Sequence, residues 1–94
     1  PHFVKIDVQG WELEALRGMR QTLQTNRSIK VYFEFAPAHF RRAGTSYREL
    51  VAFLRELDFR IYDPHPMKEL SPKAVDQLAD SLRGLRYTNL LAVR

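Results

Sequence analysis

The stretch Phe3-Val4-Lys5-Ile6-Asp7-Val8-Gln9-Gly10-Trp11-Glu12-Leu13-Glu14 does most to limit what this chain can fold into. It reads as a buried strand, a sharp polar turn and the start of a helix. Val4, Ile6 and Val8 are β-branched and alternate, as one face of a pleated strand requires. Lys5 and Asp7 fall on the other face, two residues apart, where their charges offset each other. Gly10 ends the strand at a point that tolerates no side chain, and Glu12 and Glu14 suit the positive first turn of a helix. Ligands of open α/β sheets bind beyond the carboxyl ends of the strands. Asp7, Gln9, Gly10 and Trp11 are therefore expected to face the site.

Ninety-four residues allow one small domain, whose folding removes about 60–65% of the unfolded chain's surface from water. The absence of cysteine excludes disulfides, Cys-ligated zinc and a thiol nucleophile, and fits a reducing cytoplasm. No apolar run is long enough to span a membrane, and no signal-peptide pattern is present. The chain opens on Pro1, directly into strand-like sequence, which reads as a truncation. Fifteen basic residues against eleven acidic ones give a net charge of +4, but the basic residues are scattered and the longest run is Arg41-Arg42. The expectation is a dispersed, solvated surface, with neither nucleic acid nor membrane as partner.

Along the chain, Leu13, Leu16, Met19 and Leu23 recur at helical spacing, and Gly18 inside that pattern predicts a break or close packing. Ile29 to Phe35 alternates with period two and is a second strand. Strand, helix and strand make a βαβ unit, parallel with a right-handed crossover. Ala36 to Thr45 reads as a loop. Ser46 with Glu49 is a capping box for a helix carrying Leu50, Val51, Phe53, Leu54 and Leu57, closed at Asp58. Phe59 to Asp63 is a short third strand, and His65 to Leu70 is irregular. Ser71-Pro72 starts another helix, with Val75, Leu78, Ala79 and Leu82 as its buried stripe and Gly84 at its C-terminal cap. Tyr87 to Val93 is a fourth strand.

On this frame Asp7, Gln9, Glu34 and His39 sit at or beyond the carboxyl ends of the first two strands. Adjacent strands lie about 4.8 Å apart, which lets Asp7 and Glu34 converge on one ligand as a general base or a hard-cation site. The alternative is structural: Lys5 pairs with one of them and Asp7 caps the following helix. His39 beside Phe40 reads as packed or solvent-facing more readily than as a base, while an exposed Trp11 beside the pocket can touch substrate. The four glycines stand alone, so no glycine-rich phosphate loop is present, and no paired-His metal motif exists.

Lys5-Ile6-Asp7-Val8-Gln9-Gly10-Trp11-Glu12-Leu13-Glu14-Ala15-Leu16-Arg17-Gly18-Met19 resembles the K-I-D-V-E-G-x-E-x-x-V/L-x-G-A signature of FkbM-type methyltransferases. The likeness continues through Val31-Tyr32-Phe33-Glu34-Phe35, the amphipathic helix from Tyr47 to Leu57 and Asn89-Leu90-Leu91-Ala92-Val93. It implies a partial class I, Rossmann-like αβα fold of three layers. The mixed sheet would hold the fold's fourth to seventh strands in the order 4-5-7-6, with the last strand antiparallel between the second and third of this chain. Gln9 departs from the signature's glutamate, and Asp58 stands where relatives commonly carry glycine.

The resemblance further implies an S-adenosylmethionine-dependent methyltransferase acting on a hydroxyl, often of a sugar or polyketide-like acceptor. Asp7 and Glu34 would serve as catalytic groups, and Gln9, Gly10, Trp11 and His39 would contact the substrate. The main cofactor-binding residues are expected before Phe3. A second reading is a non-catalytic binding or assembly module built on a methyltransferase-like sheet. The apolar strand from Phe3 to Val8 is left with one unpaired edge, so the isolated chain is expected to form a homodimer through it, swap elements or aggregate.

Overall fold

A computed structural model of the chain describes residues 3–6, 12–82, 84 and 86–94. Asp7, Val8, Gln9, Gly10 and Trp11 lie outside the described residues, as does His2. Period-two alternation places β1 (Phe3–Ile6), β2 (Lys30–Phe35), β3 (Arg60–Asp63) and β5 (Thr88–Val93) in a single sheet with the two-residue β4 (Lys68–Glu69). The strand order is β1-β2-β5-β3-β4. β1 and β2 run parallel, with Ile6 opposite Phe33, while β5 is antiparallel to both β2 and β3.

Register sorts the side chains between the two faces of the sheet. On one face Ile6, Val31, Phe33, Phe35, Ile61, Leu90 and Ala92 are buried and belong to a single hydrophobic cluster. The helices close that cluster from above: Leu13 and Leu16 from α1 (Glu12–Gly18), Leu23 from α2 (Arg20–Thr25), Leu50 and Leu54 from α4 (Tyr47–Glu56), Val75 and Ala79 from α5 (Pro72–Ser81). The described residues thus build two layers, helices over sheet.

Local chemistry explains most boundaries. α1 ends on Gly18 and Met19 separates it from α2; a Cβ on Gly18 would meet nothing within 4 Å, so the glycine marks a break and not a close approach. The capping box of α4 is complete: Ser46 Oγ accepts from Arg48 N–H, and Glu49 accepts from Ser46 N–H at 3.2 Å. At its other end Asp58 takes the left-handed conformation, φ 69°, so that its N–H reaches Arg55 O and the N–H of Phe59 reaches Leu54 O. Ser71 Oγ caps α5 by accepting from Ala74 N–H.

Three expectations need correction. Residues 36–45 are not simply a loop, because Pro37–Arg42 forms a short helix, α3. Proline at its first position has the φ a helix needs, and the fully buried ring of Phe40 anchors it to the core. The segment from His65 to Leu70 contributes β4, which pairs antiparallel with β3. α5 ends with its cap at Leu82, and the positive φ of Gly84, 62°, falls two residues later.

Candidate functional site

Because β1 and β2 are parallel, their carboxyl ends share one edge of the sheet, and α1 and α3 begin just beyond it. Alternation turns Glu34 away from the hydrophobic cluster, yet the residue is only 6% exposed. The reason is α3: its first turn brings His39 over the strand end, with Nδ1 3.8 Å from Glu34 Oε1 and both side chains largely shielded from solvent. That helix is held firmly. His39 N–H donates to Ala36 O at 2.9 Å, Phe40 is buried, and Thr45 N–H donates back to Phe40 O at 2.9 Å.

The two groups stand within ion-pair reach but not hydrogen-bond reach, and His39 Nδ1 is buried with no hydrogen-bond partner among the described residues. Such a pair can accept a proton from a hydroxyl brought to the sheet edge. Among the described residues no group of three or more His, Asp or Glu side chains is arranged to hold a metal ion. Of the residues expected at the site, the structure brings Glu34 and His39 together. Asp7, Gln9, Gly10 and Trp11 fall outside the described residues.

The sequence reading missed the burial of Glu12. Assigned there to the helix dipole, it is fully buried at the start of α1, at the same sheet edge. A signal for this existed. Glu12 stands four residues before Leu16 and so lies on the apolar stripe that continues through Met19 and Leu23. A fully buried carboxylate is costly unless its environment satisfies it, which makes position 12 a special one.

A concavity of about 270 Å³ lies between α4 and α5. Its lining includes Val51, Ala52 and Val75 together with the polar Arg48, Arg55 and Asp76. It contains none of the residues expected at the site.

The family model of the Methyltransferase FkbM domain matches residues 1–61. The chain belongs to the FkbM methyltransferase domain family. No curated protein and no solved structure matches it. The FkbM match takes in Glu12, Glu34 and His39 together with the undescribed Asp7 to Trp11. It stops within β3, so β4, α5 and β5 lie beyond it.

Proposed function

We propose that this chain forms part of an S-adenosylmethionine-dependent methyltransferase that methylates a hydroxyl oxygen, on a sugar or a secondary-metabolite acceptor. In this reading β1, β2, β3 and β5 correspond to the fourth, fifth, sixth and seventh strands of a class I methyltransferase sheet. The family match supports the reaction class. The single structural observation in its favour is the shielded Glu34–His39 pair at the carboxyl edge of the parallel strands.

The described residues do not by themselves fit S-adenosylmethionine. The sequence contains no glycine-rich loop to let a backbone approach the cofactor, and the described polar groups at the sheet edge include Glu12, Glu34, His39, Thr88 and Asn89. What these residues supply in this reading is a shielded proton acceptor: Glu34 faces Nδ1 of His39 at 3.8 Å, an ion-pair and not a hydrogen-bond distance, and the ring accepts the proton that a hydroxyl loses on becoming a nucleophile. Asp7, whose carboxylate precedes Gln9-Gly10-Trp11 in sequence, is assigned to positioning or deprotonating the same acceptor.

General base catalysis contributes about 10²–10⁴-fold. In a methyl-transfer assay of the protein, Glu34→Gln and Asp7→Asn are each expected to lower kcat by about a hundredfold or more. Affinity for the methyl donor should stay within a factor of about three, since neither residue is assigned to donor binding. Full turnover in Glu34→Gln would remove the proton-transfer role of the pair.

A further inference from the structure

The cleft between α4 and α5 takes no part in the reaction assigned to the sheet edge. Arg55 stands about two turns of α4 beyond Arg48, so both guanidiniums arise on the helix face turned toward α5, about 10 Å apart along its axis. Val51 and Ala52 lie between them in sequence, and Pro72, Val75 and Asp76 form the opposite wall from the start of α5. Val51 and Val75 are buried whereas Ala52 and Pro72 are exposed, so apolar surface reaches the mouth of the cleft. The family match covers α4 and ends before α5, and so assigns nothing to the space between them.

The charges lining the cleft do not cancel. Asp76 is engaged at the Arg48 end, where the Tyr47 hydroxyl donates to Oδ1 at 2.6 Å and Arg48 Nε lies 3.4 Å from the same oxygen. Arg55 has no such counterpart. Its Nη2 donates to Leu70 O at 3.1 Å, its Nε is buried with no hydrogen-bond partner, and none of the ion pairs among the described residues includes it. A guanidinium carries several N–H donors, and the bond to Leu70 O uses one of them. A half-buried cation with donors to spare beside an apolar wall favours an anion that carries an apolar body. The volume of about 270 Å³ falls just under the range of about 300–1,000 Å³ found for drug-sized ligands, so the occupant is smaller, a single ring or a short chain. We propose that this cleft binds a small amphipathic acid, its carboxylate on Arg55 and its apolar body against Val51, Ala52 and Val75.

Charge and shape select this occupant over the others. A second copy would have to insert an exposed apolar side chain, and among the described residues the large ones are Phe3, Met67 and Tyr87. Lys68 adjoins Met67, Arg86 adjoins Tyr87 and Lys5 stands two positions from Phe3, so each would bring a cation toward Arg48 and Arg55. A nucleic-acid backbone calls for a row of cations along its phosphates, whereas the lining supplies one uncompensated guanidinium. The proposal does not rest on the methyl-transfer reading, since Glu34 and His39 take no part in it.

The test titrates the 94-residue chain with phenylbutyrate, phenylbutanol and phenylbutylamine, which share one apolar body and differ in charge, while backbone chemical shifts are followed. Shifts should move at Val51, Ala52 and Val75, and the acid should bind at least tenfold more tightly than the alcohol, with the amine weakest. The preference for the acid should shrink in high salt, and acetate, which lacks the body, should leave these resonances in place. Arg55→Gln should bring the acid down to the affinity of the alcohol. Because that variant also loses the bond to Leu70 O, a second one is used: Ala52→Glu, at an exposed helical position, sets a carboxylate in the cleft and should weaken the acid at least tenfold, with the fold checked by circular dichroism. Equal affinity for acid and alcohol, tighter binding of the amine, no binding at millimolar concentrations, or unchanged binding of the acid by a folded Ala52→Glu would overturn the proposal. So would movement of the cleft resonances on dilution of the chain alone, which would give the cleft to a second copy.

Discussion

The last residue of the chain shows how much one side chain can connect. Arg94 donates from Nη1 to Leu57 O at 3.1 Å, and from Nη2 to Asn26 O at 2.8 Å and to Leu23 O. Its guanidinium also lies 4.3 Å from the centre of the Phe59 ring. The accepting carbonyls come from the carboxyl-terminal ends of α2 and α4, where unpaired C=O groups and the negative end of the helix dipole favour a cation. Burial is the main influence lowering the Arg94 pKa, with Arg27 acting in the same direction, but an arginine stays charged throughout the accessible range. Removing several charge-assisted hydrogen bonds and a ring contact together is expected to cost about 2–3 kcal/mol in Arg94→Ala, read by urea unfolding. Lysine lacks the planar fork that serves the three carbonyls and the ring at once, so Arg94→Lys should recover less than about half of that loss. Full recovery would mean that charge alone, and not the fork, holds the helix ends.

At the scale of elements, α4 and α5 are joined by polar contacts as well as by the core. The Tyr47 hydroxyl donates to Asp76 Oδ1 at 2.6 Å, and Arg48 Nε lies 3.4 Å from the same oxygen. The hydroxyl bond, followed by Arg48, holds the Asp76 carboxyl below its ordinary range. Burial, followed by the bond to Asp76, raises the Tyr47 hydroxyl. A depressed carboxyl stabilises the fold above its unfolded pKa of about 3.9, and that contribution is lost as pH falls through the lower folded value. A raised phenol contributes fully below about pH 10 and is lost as pH rises through its folded value. The stability difference between the wild type and Tyr47→Phe should therefore be greatest from about pH 4 to pH 10 and shrink on both sides. Thermal melts of the two proteins across that range decide the point, and a difference that does not vary with pH would rule out the bond as its source.

At the scale of the whole molecule, the sheet ends on β1 at one side and on the two-residue β4 at the other. β1 pairs with β2 alone among the described strands, and its other edge offers backbone groups to a further strand. A short edge strand such as β4 templates little, whereas Phe3–Ile6 is longer and largely apolar. We propose that β1 of a second copy pairs there antiparallel, through an edge distinct from the cleft assigned to the small acid. Sedimentation velocity should show association that grows with concentration, and exchange of the Val4 to Ile6 amides should slow in step. A monomer at every concentration would remove this pairing.

Some of this structure is local and is written in short stretches of residues. The capping box of α4, the proline that starts α5, the left-handed Asp58 and the break after Gly18 each depend on contacts within a few positions, so spacing and residue type determine them. The signature around Asp7 is local too, and it carries the family. Other features rest on partners that only the folded chain brings together. Nothing in the periodicity of Thr88–Val93 says that this strand inserts between β2 and β3, because pairing is chosen by the packing of whole elements and not by the strand's own pattern. That insertion aligns Tyr32, Leu91 and Tyr62 into one row. α3 escaped a reading by composition because its helix is held by the burial of Phe40, and without α3 there is no contact between His39 and Glu34. Sequence determined the elements and the family. Tertiary packing decided which polar groups meet, since burial and long-range pairing are properties of the assembled sheet and helices and not of any one segment.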